Sequence, residues 1–277
     1  MKQILILGMR EITDGMRNRW VVMVTLLMAA LALVLALLGS VPLGTTKVSE
    51  LAVTIVSLSS LSIFFIPLIA LLVSYDAIVG ESERGTLLLL LAYPVTRWQI
   101  VMGKFIGQLT LLSVAIILGY GMAALAIAMT SEGEMADQAW AAYAGLLGSS
   151  IMLGAVFLSI GLVISVLVRE RGTAAALAVG VWLVLVLVYD MGLLGILAAD
   201  SDQVLGDHLV TSLLLANPTD AYRMLNLVGS NEVSLLSGMS ALSASRDIPT
   251  SLLYGLLIMW SVIPLCLAGV LFQRRPL

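Results

Sequence analysis

Charge is scarce in this chain. Asp, Glu, Lys and Arg supply 11% of its 277 residues, apolar residues supply 60%, and the mean hydropathy is +1.08. A soluble domain carries about 25% charged residues, and the apolar runs here are too long for globular cores, so a soluble fold is excluded. Cysteine and histidine are scarcer still, one each at Cys266 and His208. That excludes a disulfide framework and a Cys/His metal cage within a single copy. The fourteen methionines scatter through apolar stretches with no Met-x-Met or Met-x-x-Met pair, so a soft-metal conduit is not expected and no metal ligand is assigned. A phosphate-binding G-x-x-x-x-G-K-[ST] loop is missing: Gly103-Lys104 lacks the upstream glycine and is followed by Phe105. An intramembrane enzyme needs a nucleophile with a base, and neither a His nor paired acids fall at one depth within the apolar runs. The chain is expected to be no enzyme and to have no catalytic residue or cofactor of its own. With a net charge of −3, lipid is an expected partner and nucleic acid is not.

What remains is a set of apolar spans, each near the 20 residues that cross a bilayer. The pattern predicts an all-α polytopic membrane protein with six transmembrane helices: Trp20–Gly39, Val53–Tyr75, Phe105–Met129, Ala141–Val168, Thr173–Ala199 and Ser251–Phe272. No signal-peptide cleavage site is evident, and the first span is expected to stay as an anchor. Lys2, Arg10, Arg17, Arg19, Arg84, Arg97, Lys104, Arg169, Arg171, Arg274 and Arg275 fall on one side of these spans. Only Lys47, Arg223 and Arg246 fall on the other. This asymmetry predicts cytoplasmic N- and C-termini in the inner membrane.

The segments between spans carry the functional signals. Residues 2–18 are expected as an interfacial helix, with Leu5, Met9, Ile12 and Met16 on one face and Arg10, Asp14 and Arg17 on another. A plain basic anchor is the alternative. Residues 76–104 form a polar loop around five leucines, Leu87, Leu88, Leu89, Leu90 and Leu91, a run too short to span and too apolar to lie bare. Thr86 is expected to cap a short helix there and Pro94 to end it. Thr96-Arg97-Trp98-Gln99 reads as a capping box for the next helix. Residues 200–250 are the long external segment. In it Asn217-Pro218-Thr219-Asp220 starts a helix with Ala221, Tyr222, Leu225 and Val228 on one face, expected on the outer surface. Asn217, Asp220, Tyr222 and Arg223 are candidates for docking an external partner, against a helix that merely closes the bundle. Asp190 is the one acid well inside a span. It marks either a transport path or a solvated helix break.

The order Asp76, Gly80-Glu81, Glu83, Gly85-Thr86-Leu87, the leucine run, Pro94, Arg97 and Gly103-Lys104 resembles the permeases of the ABC-2 (type-2 exporter) family. Within that family, Glu11–Trp20, the Tyr75–Glu81 stretch and Asn217–Arg223 are similar to the permease that serves maturation of the copper enzyme nitrous-oxide reductase. The resemblance implies a single ABC-2 transmembrane domain over 1–277, acting as a homodimer with two copies of a separate cytoplasmic ATPase. That ATPase, and not this chain, would use ATP and Mg. The leucine helix would be a coupling helix seated in a cleft of the ATPase, with Glu81, Glu83, Arg84 and Arg97 as its rim, and a periplasmic partner would dock outside. The turn Arg169–Gly172 is a second contact candidate. The implied function is export of a substrate, a sulfur species for this subfamily, or conformational work on the periplasmic partner during copper-centre assembly. Export of an unrelated cargo by another type-2 exporter and mechanical transmission with nothing transported are the alternatives. Leu236-Ser237-Gly238 is a chance likeness to the ABC ATPase signature.

Overall fold

Backbone that crosses hydrocarbon has no water to bond, so these apolar runs satisfy their N–H and C=O groups internally, as helices. The computed structural model describes residues 2–17, 26, 29–34, 50–130, 137–199, 207–227 and 249–275. Its elements are α1 (Lys2–Arg17), α2 (Glu50–Ser74), α3 (Val79–Glu83), α4 (Thr86–Leu91), α5 (Arg97–Thr130), α6 (Asp137–Leu167) and α7 (Arg171–Trp182). A π-helical segment (Leu183–Val188) follows, then α8 (Tyr189–Ala199), α9 (Asp207–Ala216), α10 (Pro218–Leu227) and α11 (Thr250–Arg274). Among the described residues, five stretches are long and apolar enough to span: Val53–Glu83, Arg97–Met129, Trp140–Leu167, Arg171–Leu193 and Thr250–Arg274. The chain is an all-α multi-pass membrane protein. The expected first span, Trp20–Gly39, lies largely outside the described residues.

The bundle is built around α6. Its apolar window is 72% buried, against 17% for the α7 stretch and 28% for α11, so α6 is the central helix and the other two are covered on one side only. Helices α2 and α11 pack along α6, with α5 beside it. Two departures from regular helix have causes in the sequence. Pro67 lies inside α2 and removes one donor from its ladder, and the nearby Phe64 carbonyl accepts the Trp182 indole N–H at 2.9 Å. The π turn lies in the run Leu183–Val188, where extra carbonyl spacing opens the ladder.

Helix α1 docks on the first turns of α5 through glycines. Gly103 and Gly107 lie one turn apart, and a Cβ at Gly107 would fall 2.5 Å from Glu11 Cβ and 2.8 Å from the Gly8 carbonyl. Such small-xxx-small spacing lets two backbones approach closely. The packing face of α1 is thus Ile4, Leu7, Gly8 and Glu11, while Leu5, Met9 and Met16 stand exposed on the other side, as an interfacial helix requires. At α5 the capping box forms: the Thr96 N–H donates to Gln99 Oε1 at 2.9 Å and the Gln99 N–H to Thr96 Oγ1 at 3.3 Å. Leucine at position 107 is expected to destabilise the protein by about 1–3 kcal/mol through overpacking. Leucine at Gly121, where a Cβ meets nothing within 4 Å, should leave thermal melting in detergent unchanged. Equal melting of the two variants would contradict the tight crossing.

Candidate functional site

The polar loop forms one face at the end of the bundle where α1 begins and α11 ends. Gln3 Nε2 donates to the Pro94 carbonyl at 2.6 Å. Arg97 Nη1 reaches the carbonyls of Phe272 at 2.8 Å and Arg275 at 2.7 Å, and its guanidinium lies 5.6 Å from the Phe272 ring. That cation sits on the C-terminus of α11, where free carbonyls favour positive charge. Arg275 does the same for α6, donating to Ser165, Val166 and Val168 at 3.2, 3.1 and 3.0 Å. Burial, and to a lesser degree Arg169, lowers Arg275 from the ordinary arginine value.

The leucine helix is held from inside. Gly85, at φ 71°, makes the left-handed turn that a side chain would strain, and α4 starts behind it. Thr86 is therefore the first helical residue and not the cap expected; its hydroxyl donates to the Glu81 carbonyl at 3.2 Å. Six helical residues give two faces. Leu87 and Leu90 are buried in the core, whereas Leu88 and Leu89 are 60% and 69% exposed, with Tyr93 beside them at 69%. Leu91 is intermediate. The apolar surface is thus two leucines and a tyrosine, not five leucines.

The charges expected as a rim divide in the same way. Glu81 Oε1 takes Lys104 Nζ at 2.9 Å, and Glu11 Oε1 takes the same ammonium at 2.6 Å. Lys104 has a side chain only 5% exposed, so Glu81 faces inward. Arg97 is spent on the end of α11. Glu83 and Arg84 are exposed. Glu83 Oε1 accepts the Arg171 backbone N–H at 2.6 Å, and Asp76 lies 2.9 Å from Arg171 Nε and 3.7 Å from Arg84. The Arg169–Gly172 turn is thereby fastened to the leucine loop. Behind them, Ser165 Oγ accepts the N–H groups of Ile78 and Val79 at 2.8 and 3.1 Å.

Helices α9 and α10 form a hairpin whose tip, Asn217, reaches into the bundle. Asn217 Nδ2 donates to the Leu185 carbonyl at 2.8 Å, and Thr219 Oγ1 shares that acceptor at 3.4 Å. Leu185 belongs to the π turn, about 21 Å along the helix from Arg171 at 1.5 Å per residue; in a hydrocarbon core of about 30 Å that is well inside. From the tip, α10 runs back between α2, α6 and α11. The Tyr222 hydroxyl meets Ser150 at 2.9 Å, and Ser149 donates to Asn226 Oδ1 at 2.9 Å. Ser62 bonds Tyr120, and the Tyr143 hydroxyl donates to the Tyr120 carbonyl at 2.6 Å. The apolar face of α10 therefore turns into the protein and not onto an outer surface. Asn217, Asp220 and Tyr222 are buried and Arg223 is 25% exposed, so none of the four forms an outward docking patch. Val228 lies outside the described residues.

Asp190 is explained by this hairpin. Its two carboxylate oxygens take Nη1 and Nη2 of Arg223, the first at 3.1 Å, while Asp220 takes Nη1 at 2.7 Å. A carboxylate at membrane depth needs such a partner. Sequence reading placed Arg223 outside and missed the pair. It also missed Glu11, Ser165, Gly107 and Arg275; Glu11 and Arg275 were legible as charges at span edges, but their partners lie far along the chain.

These features define a class: a membrane bundle with one short apolar helix fastened at its charged end. The chain matches the ABC-2 family transporter protein family over residues 5–277 and belongs to it. It is 43% identical over 275 residues to the "Probable ABC transporter permease protein NosY" of Stutzerimonas stutzeri, covering 99% of each chain. It is 42% identical over 269 residues to the protein of the same description from Pseudomonas aeruginosa, covering 97% of each. The chain is an ABC transporter permease, a subunit class without an ATPase site of its own.

Replacing Arg223 with methionine leaves Asp190 and Asp220 facing each other without their cation. Removing one partner of a buried pair costs about 3–5 kcal/mol, so a large drop in melting temperature is expected, with partial recovery when Asp190 is changed to asparagine as well. A single variant that melts like the parent would contradict the pairing.

Proposed function

We propose that this permease works as a homodimer in the inner membrane, with both termini in the cytoplasm. Two NosF-like ATPase subunits then sit on the terminus-bearing face and a NosD-like partner on the periplasmic face, in a machine for copper-centre assembly of nitrous-oxide reductase. The observation that carries the reading is the exposure of Leu88, Leu89 and Tyr93 on a helix whose other face is locked in the core. Bare apolar side chains among charges at a bundle end are covered by something. A cleft in a partner is the fitting cover, with Glu83 and Arg84 at its edge setting register. ATP and Mg belong to that partner; this chain brings neither a catalytic residue nor a metal ligand.

Of the three outputs, conformational work on the periplasmic partner has the firmer support. The hairpin reaches from the far end of the bundle into the membrane, and Arg223 pairs with the acid expected on a path. Export of a sulfur species is the second reading, and export of an unrelated cargo the third. Because Asp190 anchors the hairpin, its asparagine variant would disturb transmission as well as any path.

Aspartate at Leu89 tests the assignment. A deletion strain is complemented with the parent or the variant, and the ATPase and the reductase are isolated from each. An interface anchor is worth about 2 kcal/mol or more and each 1.4 kcal/mol is tenfold, so ATPase recovery should fall at least about tenfold while the permease stays folded. The reductase should lack its complete copper–sulfur centre. Full ATPase recovery with the variant would overturn the coupling role. A complete metal centre in the uncomplemented strain would overturn the biological assignment alone.

A further inference from the structure

One cation and two carboxyls share the seat of the hairpin, and their charges do not balance. Asp190 on α8 and Asp220 on α10 both meet Arg223, whose Nη1 donates to each of them. The two acids are not equivalent. Asp190 takes Nη1 and Nη2 through both of its oxygens, the forked geometry of an ionised carboxylate on a guanidinium. Asp220 gives Arg223 one oxygen only; its Oδ2 is buried without a partner, and the side chain is 1% exposed. Asp190 therefore balances Arg223, and a charge on Asp220 would stand in excess where water does not reach it.

The surroundings bring no second cation among the described residues. The charged and titratable groups facing Asp220 are Asp190 and Tyr189 on α8 and Arg223 on its own helix, with the Asn217 amide beside them. Helix α9 meets this cluster through the Leu213 carbonyl, which accepts the Tyr189 hydroxyl at 2.7 Å. Helices α2 and α6 turn serine hydroxyls toward Tyr222, and α11 brings Leu253. The first turn of α10 favours negative charge, but by less than the burial of an uncompensated ion costs. A proton removes the excess. On Oδ2 it turns the unmet acceptor into a donor, and Asp190 lies within hydrogen-bonding reach to receive it. The way out is also present: Asp190 is 21% exposed and lies about 28 Å along the helix from Arg171, near the far edge of a core of about 30 Å. We propose that Asp190, Arg223 and Asp220 form a proton-binding site, with one proton held on Asp220 and donated to Asp190, and that the hairpin sits firmly only while this proton is bound. Release sends the proton past Asp190 to the water outside and leaves one uncompensated negative charge beside the hairpin tip.

This goes beyond the proposed function and does not rest on it. The full chain is purified in mild detergent, and infrared difference spectra at a pH of about 6 compare the parent with Asp220→Asn and with Asp190→Asn. Both differences should show the loss of one protonated carboxylic acid, because the first variant removes that acid and the second leaves Arg223 to ionise it. Loss of a carboxylate from either variant with no acid lost would overturn the site. Melting follows the proton count. The folded chain keeps a proton that an unfolded aspartate releases above its ordinary value of about 4, so the parent loses stability as the pH rises from there. Asp220→Asn keeps a donor toward Asp190 and carries no charge. It should melt within about 2 °C of the parent at a pH of about 5.5 and at least about 4 °C above it at a pH of about 9. A difference between the two that does not change with pH would overturn the proposal. Amide exchange across α10 of the parent, corrected for the intrinsic effect of pH, should speed at least about fivefold between these pH values. That readout needs no variant, and unchanged protection would overturn the link between the proton and the hairpin.

Discussion

Lys104 ties together the end of the molecule that carries the leucine helix. Its ammonium is almost wholly buried and touches one carboxylate from α1 and one from α3, while its backbone belongs to α5. Taking one cation and two anions out of water is costly, and the arrangement holds only while all three are in place. The glycines beneath it matter for the same reason. Gly8, Gly103 and Gly107 bring α1 close enough for Glu11 to reach Lys104. The leucine helix follows α3 after one left-handed glycine, so its position is inherited from this cluster.

The opposite half of the bundle uses a second buried cation, Arg223. Here the charges hold a hairpin and not a surface helix, and they do so next to a π turn whose Leu185 carbonyl accepts from the hairpin tip. The two clusters sit at different depths and are joined by α6. Ser165, near its end, holds the start of the leucine loop, while Ser149 and Ser150, nearer its other end, hold α10. One mostly buried helix thus touches both the leucine loop and the hairpin.

Much of this was legible in the sequence, and the failures share a cause. Spans are read from the length of apolar runs, and the five described ones fall where hydropathy put them. The capping box at Thr96–Gln99 is local and was found. The amphipathic α10 was found too, but amphipathicity alone does not say whether the polar face meets water or a buried partner. Tyr222 and Asp190 took their surroundings from residues tens of positions away. The leucine run misled in a milder way: five consecutive leucines on a helix cannot share one face, and two of them belong to the core. Partners of Lys104 and Arg275 were invisible because an ion pair across 93 residues and a carbonyl hydrogen bond across 107 leave no local trace.

Hydrogen exchange of the amides in α3 and α4 tests most directly the claim that a buried lysine positions the leucine helix. The comparison is between the parent and Lys104→Met, in detergent and without any partner. Loss of the cation leaves Glu11 and Glu81 unpaired at about 3 kcal/mol, and local opening free energies set exchange rates. The account predicts that exchange across Val79–Leu91 speeds by at least about tenfold while the middle of α6 stays protected. Unchanged protection across that stretch in the variant would contradict it.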